Sequence, residues 1–383
     1  MSLKICHICL AYYPGMGNTD IYEYSRYLAE FGVDILAIVA GRKKEKKEEI
    51  INGVKVHRIP FESVKKKTSN SFKFALYASR LFNKLSKKEN FDIVHIYASM
   101  GVFLIKLLAR NNKSKWIYDI RSGAISGGVM SFIGTNLLKF ESSFFDATIV
   151  LDKELKKSIF GDNNSKNIYV VPLGANFEIF YPSKNRQIRT KYGVSDTDLL
   201  VIHVGSMHPT RNLHQVIEGF KKALTTTSNL KLMFVGSGDD CYRLKKLTKD
   251  LKIENKVIFT GLIEYNLIPN YLNTADIGIS YVPITPEFNV QPPLKTVEYL
   301  ACGLPTIATD TIGNRRFIKN EVNGILIEDT PDAVSYSILR LAKDNALRNK
   351  LRKNSRKSIM QYDWKNIVEN MLMPVYKNLL YDD

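Results

Sequence analysis

A chain of 383 residues exceeds what one hydrophobic core usually organises, and its apolar content of 45% is enough for two cores, so two domains are expected. The formal charge of +17 favours anionic partners, such as nucleotide phosphates, nucleic acid or an acidic membrane surface. The four cysteines are scattered, which argues against a disulfide framework or a metal site and favours a reducing cytoplasm. No apolar run approaches the ~20 residues that a membrane-spanning helix requires.

In the first half of the chain, short apolar runs alternate with helical patterns, as is typical of βα units that build a parallel sheet. A strand predicted at Ile5–Leu10 is followed by helix-spaced apolar residues over Ile21–Phe31, and Gly32 is a typical helix stop. Further strands are predicted at Val33–Val39, Val54–Ile59, Ile93–Tyr97, Lys115–Tyr118, Ala147–Leu151 and Ile168–Val171.

The regular pattern breaks after Pro172, and the polar stretch from Ser183 to Asp198 contains no convincing core strand. The alternation then restarts. Strands are predicted at Leu199–Val204, Lys231–Val235, Val257–Thr260, Ile277–Ile279, Thr306–Ala308 and Gly324–Ile327, and helices at Asn212–Leu224, Tyr242–Leu251, Leu294–Ala301 and Pro331–Asp344. The second half is therefore expected to form a second Rossmann-like α/β domain.

The loop after the strand at Leu199–Val204 has the chemistry of a phosphate site. The segment Gly205-Ser206-Met207 leads through Arg211 into a predicted helix. A loop of this kind offers free backbone N–H groups and the positive end of a helix dipole, and a guanidinium can grip a diphosphate through two bonds. Taken alone, the same pattern also fits a plain βα loop with a surface arginine.

A second constellation lies in the predicted helix Leu294–Ala301. Two prolines precede this helix and Gly303 follows it, so it is short and starts near the carboxyl edge of the sheet, where open α/β folds bind ligands. Lys295 and Glu298 are three residues apart and share one face of the helix. The carboxylate can accept the ribose hydroxyls of a nucleotide, and the lysine can reach a phosphate or sugar oxygen. The alternative is a surface ion pair that contributes little to stability.

These landmarks recur in an order that resembles a known family. The segments are Arg211-Asn212-Leu213, Phe234-Val235-Gly236-Ser237-Gly238, Phe259-Thr260-Gly261, Ala275-Asp276 and the run from Pro293-Leu294-Lys295 through Glu298-Tyr299-Leu300-Ala301-Cys302-Gly303. Together with Val171-Pro172-Leu173-Gly174 and the terminal Asp363-Trp364, they resemble the retaining family-4 glycosyltransferases of the GT-B class. The resemblance is clear over residues 160–380 and faint before them.

The resemblance implies a GT-B fold in which two Rossmann-like domains with parallel sheets face each other across a cleft. It implies an N-terminal acceptor domain at residues 1–180 and a C-terminal nucleotide-sugar donor domain at residues 181–360. A terminal helix at residues 361–383 would return to the N-terminal domain. The implied reaction moves a sugar from a nucleotide-diphosphate sugar to a glycan, lipid-linked or other envelope acceptor, with retention of configuration and without a metal or other cofactor.

The same resemblance assigns the site residues. Arg211 and Lys295 would neutralise the departing diphosphate, and Glu298 would hold the ribose. The other residues predicted to bind the donor are Gly17, Gly205, Ser206, Gly236, Gly261, Leu262, Asn289, Gln291 and Leu294. The chain departs from the family at Ser206, where arginine is usual, and at Val290, where a first glutamate is usual. These departures leave weak activity, altered donor choice or an inactive relative open.

In the first half, Asp119 ends a predicted strand and is the candidate for positioning the acceptor. His95 ends another strand and is interpreted as a core histidine. The segment Tyr12–Asn18, which contains Gly17, looks like a degraded glycine-rich loop beneath the donor phosphates.

Basic residues are concentrated in the first half, on either side of an amphipathic stretch at Ser71–Leu85. Aromatic residues opposite cations favour peripheral contact with an anionic membrane, so a cytoplasmic protein that rests on the inner face of the membrane is predicted. The alternative is a solvated helix that packs its apolar face inward.

Two other functions compete with this interpretation. A nucleotide-sugar epimerase of the same architecture would need acid and base residues at the sugar carbon, and no convincing set is present. A nucleic-acid-binding protein would show a recognition helix or aromatic RNA-binding strands, and neither is found, so nucleic acid is not a predicted partner.

Overall fold

The computed structural model describes residues 3–14, 19–61, 68–110, 113–123, 129–161, 167–183 and 187–381. The chain divides into two compact units. Unit 1 consists of Met1–Leu173 together with Trp364–Asp383, and unit 2 is the continuous segment Gly174–Asp363. Unit 2 is therefore inserted into the chain of unit 1.

Unit 1 is an eight-stranded sheet in the order β3-β4-β2-β1-β5-β6-β7-β8, parallel except for the pairing of β3 with β4. Its strands are β1 Lys4–Tyr12, β2 Asp34–Gly41, β3 Glu48–Ile51, β4 Val54–Pro60, β5 Ile93–Tyr97, β6 Lys115–Ile120, β7 Ala147–Val150 and β8 Ile168–Val170. Its helices before unit 2 are α1 Thr19–Glu30, α2 Thr68–Leu85, α3 Phe103–Leu107, α4 Val129–Ser142 and α5 Lys153–Phe160.

Unit 2 is a six-stranded parallel sheet in the order β11-β10-β9-β12-β13-β14. Its strands are β9 Leu199–Val204, β10 Leu230–Val235, β11 Val257–Phe259, β12 Ile277–Ser280, β13 Thr306–Thr309 and β14 Ile325–Ile327. Its helices are α6 Gln187–Lys191, α7 His214–Leu224, α8 Cys241–Asp250, α9 Ile268–Leu272, α10 Pro286–Asn289, α11 Leu294–Ala301, α12 Ile312–Arg315, α13 Pro331–Lys343 and α14 Asn345–Ser355.

The end of the chain belongs to the core of unit 1. Helix α15, Trp364–Ile367, continues through a π-helical turn at Val368–Leu372 into α16, Met373–Tyr381. The indole of Trp364 is buried edge-on against the ring of Tyr24, with centroids 5.3 Å apart. The predicted return of a terminal helix to the N-terminal domain is confirmed.

Every predicted strand is present, because most of them are predominantly apolar runs that lie in a parallel sheet. Gly32 has φ +81° after the first helix, as its role as a helix stop requires. The α/β fold with two sheets is confirmed. Among the described residues, the structure has no helix that is both long and apolar enough to cross a bilayer.

Candidate donor site on unit 2

The glycine loops after β9, β10 and β11 are drawn together at the carboxyl edge of the sheet. The N–H of Gly236 donates to the carbonyl of Gly261 at 2.9 Å. A Cβ atom on Gly236 would lie 2.1 Å from the carbonyl oxygen of Gly205, and Gly236 has φ +134°. Only glycine fits this close approach, so the sequence pattern at these loops has a structural cause.

Lys295 lies at the point where the strand order of unit 2 reverses. β9 and β12 are neighbours although they are far apart in sequence, and open α/β sheets bind ligands at such a switch point. The Lys295 Nζ atom is 3.5 Å from His203 Nε2 on β9 and 3.3 Å from the Tyr281 carbonyl after β12. The ammonium is therefore directed at the carboxyl ends of both strands.

Positive charge is concentrated around Lys295. Burial and the nearby charge of Arg211 lower the pKa of Lys295 to about 7, against the opposing effect of Glu298. Burial, followed by the charge of Lys295, holds the pKa of His203 well below its usual value. Neutral His203 donates from Nδ1 to the Ile279 carbonyl at 3.0 Å, which leaves Nε2 as the acceptor for the ammonium. An anion would relieve this excess of positive charge.

Glu298 is almost completely buried on the same helix face. Burial raises its pKa to about 7, although the hydrogen bond from Tyr265 and the charge of Lys295 both oppose the rise. The Tyr265 hydroxyl donates to Glu298 Oε1 at 2.9 Å. Lys295 is directed at His203 instead, so the surface ion pair considered from the sequence is not the arrangement found.

Arg211 is held by an aromatic ring. Its guanidinium lies 4.4 Å from the centroid of the Phe288 ring on α10, a cation–π contact that fixes the side chain. Burial lowers the pKa of Arg211. The charges of Arg211 and Lys295 influence each other, so the two predicted cations lie in one neighbourhood.

A buried polar ladder fixes helix α11 against the sheet. The Thr296 hydroxyl lies 2.6 Å from the Ser280 hydroxyl on β12 and donates to Asn314 Oδ1 at 2.7 Å. The Asn314 amide donates in turn to the Thr309 carbonyl on β13 at 2.9 Å. The helix that carries Lys295 and Glu298 is therefore a rigid support.

The other residues predicted to bind the donor differ in their exposure and in whether their polar atoms are already hydrogen-bonded. Ser206 and Leu262 are exposed at the loops after β9 and β11, and Leu294 is half-buried as the first residue of α11. The Asn289 side chain accepts the N–H of Ile312 at 3.0 Å, so its oxygen is already used. Gln291 places its backbone carbonyl against Gly313, where an added Cβ would lie 2.1 Å away. The predicted residue Gly17 lies outside the described residues.

In unit 1, Asp119 is fully buried. Its Oδ2 atom accepts from Arg121 at 2.6 Å and lies 2.9 Å from His95 Nε2. Burial opposes ionisation of Asp119, but Arg121 and His95 outweigh it and lower the pKa of the carboxyl. The Oδ1 atom is buried without a hydrogen-bond partner among the described residues. His95 is a satisfied core histidine, as interpreted from the sequence.

Sequence analysis missed the side chains that hold the predicted ones, namely His203, Tyr265 and Phe288. His203 lies in the strand that ends at the predicted phosphate loop, so its position in the sequence could have indicated a side chain near the site. Phe288 lies on the single-turn helix α10 and Tyr265 begins a short 3-10 helix, and elements this short have no periodicity that predicts their position.

Comparison with known proteins identifies the family. Residues 184–358 match the family model described as glycosyl transferases group 1, and residues 7–151 match the model described as glycosyl transferase 4-like. The chain is a glycosyltransferase of the GT-B class. Enzymes of this kind transfer a sugar from a nucleotide sugar, and the epimerase alternative is not favoured.

The relatives of the glycosyltransferase are distant in sequence and cover most or all of the chain. It is 24% identical to the N-acetyl-alpha-D-glucosaminyl L-malate synthase of Bacillus anthracis, over 100% of this chain and 99% of the relative. It is 26% identical to the UDP-Gal:alpha-D-GlcNAc-diphosphoundecaprenol alpha-1,3-galactosyltransferase of Escherichia coli, over 72% and 73% of the two chains.

Solved structures show the same fold. The sucrose-phosphate synthase of Thermosynechococcus elongatus superposes with a TM-score of 0.78 at 18% identity, covering 100% of both chains. Anabaena Alr3699/HepE in complex with UDP-glucose gives a TM-score of 0.78 at 14% identity, covering 98% of this chain and 100% of the other.

Proposed function

We propose that the glycosyltransferase holds its nucleotide-diphosphate sugar on unit 2, with Arg211 and Lys295 against the phosphates and Glu298 on the ribose. The observation that carries this proposal is that Arg211 and Lys295 place two neighbouring cations beside Glu298, at the point where the strand order reverses, without a direct ion pair between Lys295 and Glu298. A diphosphate brings the missing negative charge. The glycine loops after β9 and β10 let its oxygens come close to the backbone.

Arg211 and Lys295 would act on the leaving group. As the bond between the sugar and the diphosphate breaks, negative charge grows on the diphosphate, and two fixed cations stabilise it. The Phe288 ring and the His203 imidazole hold these cations before the donor arrives, so little reorganisation is needed. We propose that transfer proceeds with retention of configuration and without a bound metal ion, as the family resemblance implies.

The proposed acceptor is a glycan or a lipid-linked sugar, positioned by Asp119 on unit 1. Asp119 is fully buried, so it would position the acceptor through Arg121, whose guanidinium donates to the Asp119 Oδ2 atom at 2.6 Å. The Escherichia coli relative is named for a diphosphoundecaprenol-linked acceptor, which supports a lipid-linked substrate class.

Calorimetric titration of the full chain with UDP tests the donor site. We expect Arg211→Ala and Glu298→Ala each to weaken UDP binding by about tenfold or more, because each removes a charged hydrogen-bonding group. Arg352→Ala is the matched control, since Arg352 is exposed on α14. Equal losses in all three variants would count against the assignment.

A panel of UDP-, GDP- and ADP-sugars tests the activity. Nucleotide release that increases when an acceptor is added supports transfer. Silence with every donor would instead support an inactive nucleotide-binding relative, the alternative that Ser206 and Val290 leave open.

A further inference from the structure

The outer face of helix α2 is apolar and basic although its inner face already forms core. Phe74, Ala78 and Phe82 are completely buried against the sheet. On the opposite side, Phe72, Leu76 and Tyr77 are exposed, Tyr77 to 50%. The helix therefore carries two apolar faces, and packing within unit 1 accounts for only one of them.

The exposed apolar face continues onto the next two helices. Its members are Phe72, Leu76 and Tyr77 on α2, Met100 before α3, Leu107 and Leu108 at the end of α3, and Phe132, Ile133 and Phe140 on α4. Phe132 is the most exposed of them, at 72%. We call this set the α2–α4 surface. The exposed large apolar residues of unit 2 are instead distributed over many separate elements.

Specific contacts join the three helices. The Phe72 ring lies against Gly101, where an added Cβ would be 2.7 Å from the ring. The Asn83 amide donates to the Leu108 carbonyl at 2.8 Å, which ties α2 to the end of α3. The Phe103 and Phe140 rings meet edge to face with centroids 6.0 Å apart, which joins α3 to α4. The α2–α4 surface is therefore one connected area.

The charge of these helices is almost entirely positive. Their basic residues are Lys73, Arg80 and Lys84 on α2, Lys106 on α3 and Lys139 on α4. Their single acidic residue, Glu141, is buried, where it accepts the N–H of Gly101 at 2.7 Å and the Tyr118 hydroxyl at 2.7 Å. Lys106 is paired with Asp146 at 3.1 Å, and the other four cations are exposed.

The α2–α4 surface borders the edge of unit 1 that carries the proposed acceptor residue. The segment from Ala98 to Val102 connects the carboxyl end of β5 to α3, and α4 follows β6 along the chain. Asp119 is the last but one residue of β6. The start of the surface and Asp119 therefore belong to the same edge of the sheet.

We propose that the α2–α4 surface docks the enzyme on an anionic lipid bilayer. Exposed aromatic and aliphatic side chains enter the interface between head groups and acyl chains, and the surrounding lysines and arginine pair with lipid phosphates. A second copy of the chain fits less well, because two such surfaces would bring like charges together. The docking rests on the proposed function only in its purpose, which is to bring a lipid-linked acceptor to the edge that holds Asp119.

Vesicle co-sedimentation of the full chain tests the docking. We expect the protein to sediment with vesicles of phosphatidylcholine mixed with phosphatidylglycerol, to bind pure phosphatidylcholine at least about tenfold less, and to be released by salt. Arg80→Glu with Lys84→Glu, and separately Tyr77→Ser with Phe132→Ser, should each reduce binding to the anionic vesicles by about tenfold.

Helix α8 of unit 2 provides the matched control. Tyr242 is 81% exposed there, and Lys246 and Lys249 are exposed beside it. Tyr242→Ser with Lys246→Glu and Lys249→Glu should leave vesicle binding unchanged. Thermal unfolding of every variant checks that it is folded.

Three results would overturn the proposal. The first is a wild-type chain that stays in the supernatant, which is the result expected if the α2–α4 surface binds a protein partner and not lipid. The second is variants of the α2–α4 surface that bind like the α8 control. The third is light scattering that shows a dimer which these variants dissociate. The vesicle assay requires no donor, so UDP titration reports separately on the proposed function.

Discussion

At the residue scale, Lys295 and Glu298 show a site organised for a ligand at the expense of stability. Both side chains are removed from water, and each has a pKa moved to about 7 towards its neutral form. Neither is compensated by a direct ion pair between the two, since Lys295 is directed at His203 and Glu298 at Tyr265. Buried ionisable groups of this kind reduce the stability of the fold, and they bind a charged ligand more strongly as a result.

Replacing Lys295 should therefore separate stability from binding. The folded-state pKa of about 7 lies below the ordinary 10.5, so the unfolded chain binds more protons between these values and the lysine destabilises the fold at and below neutral pH. We expect Lys295→Met to raise the melting temperature by about 2 °C or more at pH 7 while it weakens UDP binding. Differential scanning calorimetry measures the first effect and titration the second. A lower melting temperature would contradict this account, and Lys246→Met is the exposed control.

UDP binding should also be linked to proton uptake. A diphosphate beside Lys295 raises the pKa of its ammonium, so above pH 7 binding must add a proton and affinity should fall as the pH rises. Titrations in buffers of different ionisation enthalpy measure the protons exchanged. The Lys295→Met variant should lose this uptake. An unchanged uptake in that variant would assign the proton to another group.

At the scale of elements, the glycine loops are the most constrained part of the donor site. Gly236→Ala would place Cβ 2.1 Å from the Gly205 carbonyl at φ +134°, so β9 and β10 would have to move apart. We expect a loss of at least about 2 kcal/mol in the free energy of unfolding together with weaker UDP binding. Urea denaturation measures the loss.

Gly193→Ala is the control for backbone conformation alone. Gly193 has φ +62°, and an added Cβ there would meet nothing within 4 Å. This change should cost about 1 kcal/mol and leave UDP binding intact. If the two substitutions cost the same, the close approach of the loops is not what requires glycine at position 236.

Sequence patterns predicted the elements that have strong periodicity and missed those whose identity depends on tertiary contacts. The buried strand β9 was predicted residue for residue because only His203 interrupts its apolar run, and α11 because prolines and a glycine mark its ends. Strand β3, a short edge strand with two glutamates, and the polar helix α14 gave no such pattern. The cations of the site were predictable from their motifs. The side chains that hold them were not, because the Phe288 ring and the Tyr265 hydroxyl belong to single-turn helices too short to show a sequence period.

At the scale of the whole molecule, the C-terminal helix links the two strands on either side of the strand-order reversal in unit 1. The Tyr376 hydroxyl lies 3.2 Å from His7 Nε2 on β1 and 2.7 Å from His95 Nδ1 on β5. His95 continues the chain of hydrogen bonds to Asp119. The end of the chain therefore supports the proposed acceptor residue.

Tyr376→Phe tests this support. Removing the hydroxyl leaves the buried atoms His7 Nε2 and His95 Nδ1 without a partner, so we expect a loss of about 1–3 kcal/mol in the stability of unit 1. Hydrogen exchange resolved by peptide should show faster exchange in β1 and β5 and no change in β9 and β12. Tyr381→Phe, at an exposed position, should have no effect. Uniform acceleration in both units would indicate a global rather than a local loss.

The insertion of unit 2 into unit 1 has a consequence during biosynthesis. A ribosome completes Met1–Leu173 and then must translate all of Gly174–Asp363 before Trp364 and Tyr376 exist. At roughly 5–20 residues per second, the nascent first half waits on the order of ten seconds or longer with an unfinished core. A premature stop codon just before Trp364 would thus leave unit 2 complete. Unit 1, although made first, would lack part of its core and would be exposed to chaperones and proteases.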